Sequence, residues 1–260
     1  MISLNEFLVN KKINKKIDQP VYRYKPNDKE ELKTYINILL NKNEYDLNCI
    51  DTSLITDMSD LFCKNREGVN VEGIDDKIDV SNWDVSNVKD MSFMFCQCVK
   101  FNCDLSNWDV HNVENIANMF TDCSNFNKPI GNWNVSKVEN MRSVFLYCLK
   151  FNQDISNWNV SNVTNMTSMF YKCNEFNQDL GKWNVKNVKD MKQMFYRCYL
   201  FEGKGLDKWN VDNVRDIHEM FAICTNFNCN IENWNVSKVR NMARMFDKCT
   251  NLKNIPTWYR

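Results

Sequence analysis

Histidine and glycine are scarce in this chain of 260 residues, and each scarcity removes a class of chemistry. His111 and His218 are the only histidines and lie far apart, so no nucleophile, base and acid can be assembled around them. Six glycines leave little material for phosphate-binding loops, and no Walker, GxGxxG, HExxH or GxSxG motif occurs. The sequence therefore predicts a protein that is not an enzyme and uses no cofactor.

The chain also lacks net charge and long apolar runs. Lys plus Arg and Asp plus Glu both number 33, which gives no overall attraction to nucleic acid or to an anionic membrane. No window approaches the roughly 20 apolar residues of a membrane span, and the N-terminal residues lack the apolar stretch of a signal peptide. We therefore expect no nucleic-acid partner, no membrane insertion and an intracellular location, where the twelve cysteines would be reduced.

The sequence does have an internal repeat, which its tryptophans mark. Seven units span residues 78–251, and residues 50–62 form an earlier half-unit without a Trp. We predict an N-terminal helical cap over residues 1–47, a repeat array over 48–251 and a short C-terminal end over 252–260. The spacing of the tryptophans is 25 residues four times, then 26, 25 and 24, over Trp83, Trp108, Trp133, Trp158, Trp183, Trp209, Trp234 and Trp258.

Each unit contains two periodicities, as in residues 151–175, FNQDISNWNVSNVTNMTSMFYKCNE. Trp158 and Val160 lie two residues apart, as on one face of a strand. Asn165 then suits the N-cap of a helix. The apolar residues that follow it are spaced i, i+3, i+4 and i+7, as on one face of a helix. They are Met166, Met169, Phe170 and Cys173. The pattern predicts an α/β repeat solenoid, a leucine-rich-repeat-like stack of short parallel strands on one face and short helices on the other.

The helical cap is predicted within residues 26–43, PNDKEELKTYINILLNKN. Asp28 can cap the helix, with Glu31 completing a capping-box-like pair. The apolar face of this helix should cover the first unit, as terminal caps of repeat arrays do; it comprises Leu32, Tyr35, Ile36 and Leu39.

The units resemble the BspA-like repeat family, which occurs in mycoplasma surface lipoproteins and in giant-virus and protist proteins. Residues 81–95, SNWDVSNVKDMSFMF, and 151–170 carry the resemblance. It implies a leucine-rich-repeat-like solenoid that binds at surfaces and has no catalytic residues. Because no lipoprotein signal is present, we favour an intracellular or virion protein, with the host cytoplasm or the virion as its location if it is viral. The predicted function is non-catalytic protein–protein interaction or structural scaffolding, and the alternatives are surface adhesion to a host or metal or ligand binding through the Cys or Trp positions.

Two sets of repeated side chains invite a chemical interpretation. Seven cysteines share one position, and a spacing of ~4.8 Å between units would allow disulfides. Their odd number and apolar surroundings favour buried free thiols, and zinc is disfavoured because only Cys96 and Cys98 form a close pair. The tryptophans could form a stacking platform for sugars or bases, but their alternation with valine favours core packing. The seven cysteines are Cys98, Cys123, Cys148, Cys173, Cys198, Cys224 and Cys249.

A candidate binding surface follows from positions that become large and apolar in units three to five. The equivalent residues of other units are small or polar, such as Thr121, Asp247 and Ser124. Exposed apolar patches mark interaction sites, and Tyr is enriched at binding hot spots. The alternative is that these side chains merely cover the core. We call this set the Tyr patch: Leu146, Tyr147, Leu149, Tyr171, Tyr196, Tyr199 and Leu200.

The charges are unevenly distributed along the repeat array. Residues 48–180 contain 10 basic and 18 acidic residues, and residues 181–260 contain 14 and 8. These blocks of opposite sign would complement each other between two copies. The sequence therefore predicts weak, salt-sensitive self-association head to tail. It also predicts a protein partner, whose identity the residues leave open.

Overall fold

In a computed structural model that describes residues 22–259, the repeat units form a stack. We use the word column for residues that occupy the same position in successive units. Strand-like pairing consists of isolated parallel bridges: Tyr24 pairs with Ile50, and Asp46 pairs with Asp79. Seven more bridges link successive members of one column, which comprises Asp57, Asp90, Asn115, Asn140, Asn165, Asp190, Asp216 and Asn241.

The helices of the described residues are few. One α-helix, α1, spans Lys29–Leu40. Two 3₁₀ turns span Lys64–Arg66 and Leu206–Lys208. Over residues 22–259 no helix has both the length and the apolar character needed to cross a membrane.

Helix α1 forms inside the segment where the sequence predicts a helix. The Asp28 carboxylate accepts hydrogen bonds from the amides of Glu30 and Glu31 at 3.0 and 2.9 Å, which caps the first turn. The apolar face is fully buried at Leu32, Ile36 and Leu39. At the first turn Lys29 donates to Asp57 and Ser59 of the half-unit, so α1 lies against the start of the stack.

The short helices predicted within the units are wrong for the described residues, since these segments are chains of turns. In unit four, Met169 and Cys173 donate their amides to the carbonyls of Met166 and Phe170, which lie three residues earlier. An α-helix would require bonds to residues four positions earlier. The backbone of Ser168 lies in the left-handed region at φ +55°, which interrupts any helical run.

The missing helical bonds are made between units instead. The amide of Phe170 donates to the carbonyl of Met194 in the next unit at 2.9 Å, and Ser168 donates in the same way to Lys192 at 2.8 Å. Alternate amides therefore point along the stack, and each unit depends on its neighbour for hydrogen bonding. The apolar spacing that suggests a helix is produced by turns that bring the same side chains inward.

The strand predicted around Trp158 is also replaced by turns. The amide of Trp158 donates to the carbonyl of Ile155 at 3.1 Å, and that of Val163 donates to Val160 at 3.0 Å. The parallel bridge of this unit lies at Asn165, at the position assigned to a helix cap. The apolar residues of this segment nevertheless all face the core.

Burial of the repeated apolar positions is confirmed. Trp158 is 2 % exposed, and its ring lies 6.4 Å from that of Trp133 with an interplanar angle of 3°. The Nε1–H of Trp158 donates to the carbonyl of Ile130 in the preceding unit at 3.0 Å. Phe145 and Phe170 stack at 5.6 Å beside this column. One continuous core thus runs along the stack.

Candidate protein-binding surface

The structure brings three of the four tyrosines of the Tyr patch, Tyr147, Tyr171 and Tyr196, into contact. Tyr171 and Tyr196 occupy the column that follows the core Phe, and their rings stack at 4.6 Å with an interplanar angle of 12°. The Tyr147 ring lies 5.6 Å from that of Tyr171. Burial raises the pKa of the Tyr171 hydroxyl, with smaller contributions from the two neighbouring tyrosines.

The remaining patch residues are the more exposed ones. Leu149, Tyr199 and Leu200 are 36, 37 and 47 % exposed. The other four, Leu146, Tyr147, Tyr171 and Tyr196, are half-buried. None of the four is among the half-buried side chains of residues 22–259 that pack against the hydrophobic core. The patch therefore forms a layer outside the core.

Two cations lie over the tyrosine rings. The Lys172 ammonium is 4.4 Å from the centre of the Tyr147 ring, and the Arg197 guanidinium is 5.5 Å from that of Tyr196. Tyr147, Lys172 and Arg197 share one column in which every backbone is left-handed, with φ between +57° and +68°. The turn at this column directs each cation onto an aromatic neighbour, which is a favourable cation–π arrangement.

A cleft of about 630 Å³ lies at the end of the patch, where Tyr147 and Leu149 form part of its wall. A second part of the wall is the loop of residues 64–77, which contributes Val71 and Asp75. The cleft is mixed in character, with the exposed apolar side chain of Val99, several carboxylates and one lysine. The acidic and basic side chains that line it are Glu72, Asp75, Asp122 and Lys100.

Asp122 is the distinctive group of the cleft. It is half-buried, and burial raises the pKa of its carboxyl while the nearby charge of Lys172 acts in the opposite direction. No side chain or amide of the described residues is hydrogen-bonded or ion-paired to this carboxylate. By contrast, the Asp75 carboxylate accepts the amide of Lys100 at 2.6 Å.

Sequence reasoning identified the patch residues but missed the cleft. One signal was available, because Asp57 and Asp90 are 33 residues apart whereas later members of their column are 25 or 26 apart. The additional residues lie within the loop 64–77. The path of an inserted loop depends on contacts that no periodicity encodes, such as the bond from Asn65 to Gln97 at 2.6 Å.

The cysteine column lies in the core. The thiol of Cys148 donates to the carbonyl of Phe120 in the preceding unit at 3.0 Å, and Cys173 donates to Phe145 at the same distance. Burial raises the pKa of both thiols well above the usual range, so they are poor nucleophiles. All twelve cysteines are unpaired, and none of the described residues forms a group of three metal-ligating side chains.

A separate thiol pair lies beside the cleft. Cys63 and Cys96 each follow a core phenylalanine, and those phenylalanines, Phe62 and Phe95, stack at 5.5 Å. The pKa of the Cys63 thiol is lowered, chiefly by a hydrogen bond from Cys96. The pKa of the Cys96 thiol is raised. Both side chains are buried, at 1 and 7 % exposure.

The other candidate groups have local roles. His111 pairs with Asp109 at 2.8 Å on the surface, and His218 lies near Glu219 at 3.5 Å, so the two histidines serve different units. The Asn or Asp after each Trp from Trp83 to Trp234 accepts the amide two residues later, as Asn159 does from Ser161 at 3.2 Å. These are Asx turns, so this column has a local structural role.

Comparison with known proteins places the chain in a family. The model of the family described as "Mycoplasma protein of unknown function, DUF285" matches four overlapping segments, residues 30–137, 69–181, 123–205 and 168–259. These matches extend over most of the chain and agree with the mycoplasma-type repeat that the sequence indicates. No curated protein matches the chain. The chain therefore belongs to the DUF285 family.

Proposed function

We propose that the chain is a non-catalytic repeat protein of the BspA-like, leucine-rich-repeat type that binds a protein partner through the Tyr patch. The observation that carries this proposal is the ladder formed by Tyr147, Tyr171 and Tyr196, which lies outside the core beside three exposed apolar side chains. Tyr offers a large, rigid contact area and is enriched at binding hot spots. A monomeric surface has little other use for such a layer.

The stack supports this role by holding the patch rigid. Tyr147 and Lys172 donate their amides to the carbonyls of Tyr171 and Tyr196 in the next unit at 2.8 and 2.7 Å. The side chains of successive units are therefore held in register. Repeat arrays use such extended, regular surfaces for recognition, and a preformed surface loses little conformational entropy on binding.

The other candidate functions have less support. The Trp rings from Trp83 to Trp234 are at most 4 % exposed, so they offer no stacking platform to sugars or bases. The thiols of the cysteine column are bonded to main-chain carbonyls. Because unpaired cysteines fit a reducing compartment, we propose a location inside a cell or a virion.

The patch can be tested by selecting binders from a library of displayed random peptides. Selection on the wild-type protein should enrich a set of binding peptides. The variant Tyr171→Ser/Tyr196→Ser/Tyr199→Ser should no longer bind those peptides. A matched control removes three exposed aliphatic side chains elsewhere, Ile38→Ser/Leu54→Ser/Ile255→Ser, and should retain them.

Thermal melting separates a binding role from a structural one. Unchanged melting of the tyrosine variant together with lost enrichment supports the proposal. Strong destabilisation with enrichment retained would show that the tyrosines only cover the core, and no enrichment by wild-type protein would refute the binding role.

A further inference from the structure

Resting on the function proposed above, we propose that the cleft beside the Tyr patch accepts a Lys or Arg side chain from an extended segment of the partner, paired with Asp122. The Tyr patch would hold the apolar residues of the same segment, since Tyr147 and Leu149 belong to both the patch and the cleft wall.

The charge of the cleft selects a cation. Three carboxylates and one ammonium group line it, so an acidic ligand would meet repulsion. Asp122 lacks a hydrogen bond or ion pair from the described residues. An unpaired carboxylate that is partly removed from water destabilises the fold, and an incoming cation would remove that penalty on binding.

The shape of the cleft fits a side chain that is apolar along its length and charged at its tip. Val99 is 51 % exposed and Leu149 is 36 % exposed, which leaves apolar surface for a methylene stem. Lys and Arg bury such stems against apolar surface and keep the charged group among polar partners. The face of the adjacent Tyr147 ring is already occupied by the ammonium group of Lys172. The incoming cation therefore pairs with the carboxylate of Asp122.

The loop 64–77 makes this wall of the cleft rigid. Asn65 donates to Gln97 at 2.6 Å, and Asp75 accepts the Lys100 amide at 2.6 Å. Gly68 packs so closely that a Cβ there would lie 2.2 Å from the carbonyl oxygen of Asp60. A site that is already formed needs little reorganisation to bind.

The test uses peptides selected on the wild-type protein, synthesised with a fluorophore and measured by fluorescence anisotropy. Selected peptides should share a Lys or Arg flanked by apolar residues. Asp122→Asn should weaken their binding at least about tenfold, because a close charge pair is lost. Asp122→Lys should abolish it and instead favour peptides with Asp or Glu at that position. Lys occupies the same left-handed position at Lys172 and Lys248, so the backbone accepts this change.

Glu114→Gln is the matched control, because this exposed carboxylate lies outside the cleft and the same charge is removed. It should bind as tightly as wild type. Asp122→Asn should melt at or above the wild-type temperature, which excludes misfolding as the cause of lost binding.

The outcomes separate the two proposals. Peptides that depend on the tyrosines but carry no shared basic residue, or that bind Asp122→Asn as well as wild type, would overturn the cleft assignment and leave the patch intact. Peptides that depend on neither the tyrosines nor Asp122 would overturn both.

Discussion

Replacing Trp158 by alanine should lower the free energy of unfolding by about 4–6 kcal/mol. The side chain is 2 % exposed, and truncating a buried aromatic residue of this size costs ~3–5 kcal/mol. The hydrogen bond from Nε1 to the carbonyl of Ile130 at 3.0 Å is also lost, at about 1 kcal/mol. The carbonyl keeps the amide of Trp133 as a second partner, so no larger penalty for an unsatisfied group is expected.

Two control variants divide this loss into its parts. Trp158→Phe keeps an aromatic ring against Trp133 and removes the indole N–H, so it should cost roughly 1–3 kcal/mol, from the lost hydrogen bond and the smaller ring. Trp258→Ala removes the equivalent side chain at the last described turn. Trp258 is only half-buried and its bond to Ile231 is 3.2 Å long, so it should cost clearly less than Trp158→Ala.

Urea unfolding followed by far-ultraviolet circular dichroism measures the loss, and amide hydrogen exchange locates it. Because units contact their neighbours along the stack, the amides of units three to five should lose protection before those of the first unit. A loss below about 2 kcal/mol for Trp158→Ala, or equal losses at Trp158 and Trp258, would refute the packing and hydrogen-bonding account of the Trp column.

Three further predictions concern other features of the stack. Ser168→Gly should leave the free energy of unfolding unchanged or raise it by up to about 1 kcal/mol, because the left-handed backbone penalises residues other than glycine. If the segment were a helix, glycine there would instead lower it by ~0.5–1 kcal/mol. Urea unfolding midpoints distinguish the turn from the helix. Bonds from Ser156 lower the pKa of Asp154, so this contribution to stability is present above the unfolded pKa of about 4 and is lost as pH falls through the folded pKa. Asp154→Asn should therefore be less stable than wild type at neutral pH and equally stable near pH 2, as measured by urea unfolding at both. Diamide, which removes two hydrogen atoms from a thiol pair, should join Cys63 to Cys96 before any pair of the cysteine column, because the lowered pKa of Cys63 supplies the thiolate; peptide mapping showing a column disulfide first would contradict this.

Much of the core could be predicted from the sequence. Trp158, Phe170 and Cys173 recur at fixed spacing, and the structure buries all three. Helix α1 could be placed because Asp28 and a 3.6-residue apolar period lie close together. These features depend on local pattern and on the exclusion of apolar side chains from water, and both can be read without knowing the path of the chain.

The local conformation of the units could not be predicted in the same way. Turns and a helix can place Met166, Met169 and Phe170 on one side, so apolar spacing does not distinguish between them. The deciding quantity is the partner of each amide, and for Ser168 and Phe170 that partner lies in the next unit. A periodicity within one segment contains no information about a bond that crosses to another.

The columns that differ between units are the place to look for specificity. Stacking requires a Phe, a Cys and an Asn or Asp in every full unit, because each is buried or bonded to the neighbouring unit. The column after the core Phe accepts different residue types, namely Cys96, Thr121, Leu146, Tyr171, Tyr196, Ala222 and Asp247. Its small members Cys96, Thr121 and Ala222 are buried, whereas its larger members are half-buried or exposed. Because the stack tolerates this variation, a large side chain in the column can be chosen for what it contacts outside. Leu146, Tyr171 and Tyr196 of the Tyr patch occupy this column. The Asp122 column, which includes Gln97, Tyr147, Lys172 and Arg197, varies in the same way. Recognition through these two columns therefore demands no change in the packing that holds the stack together.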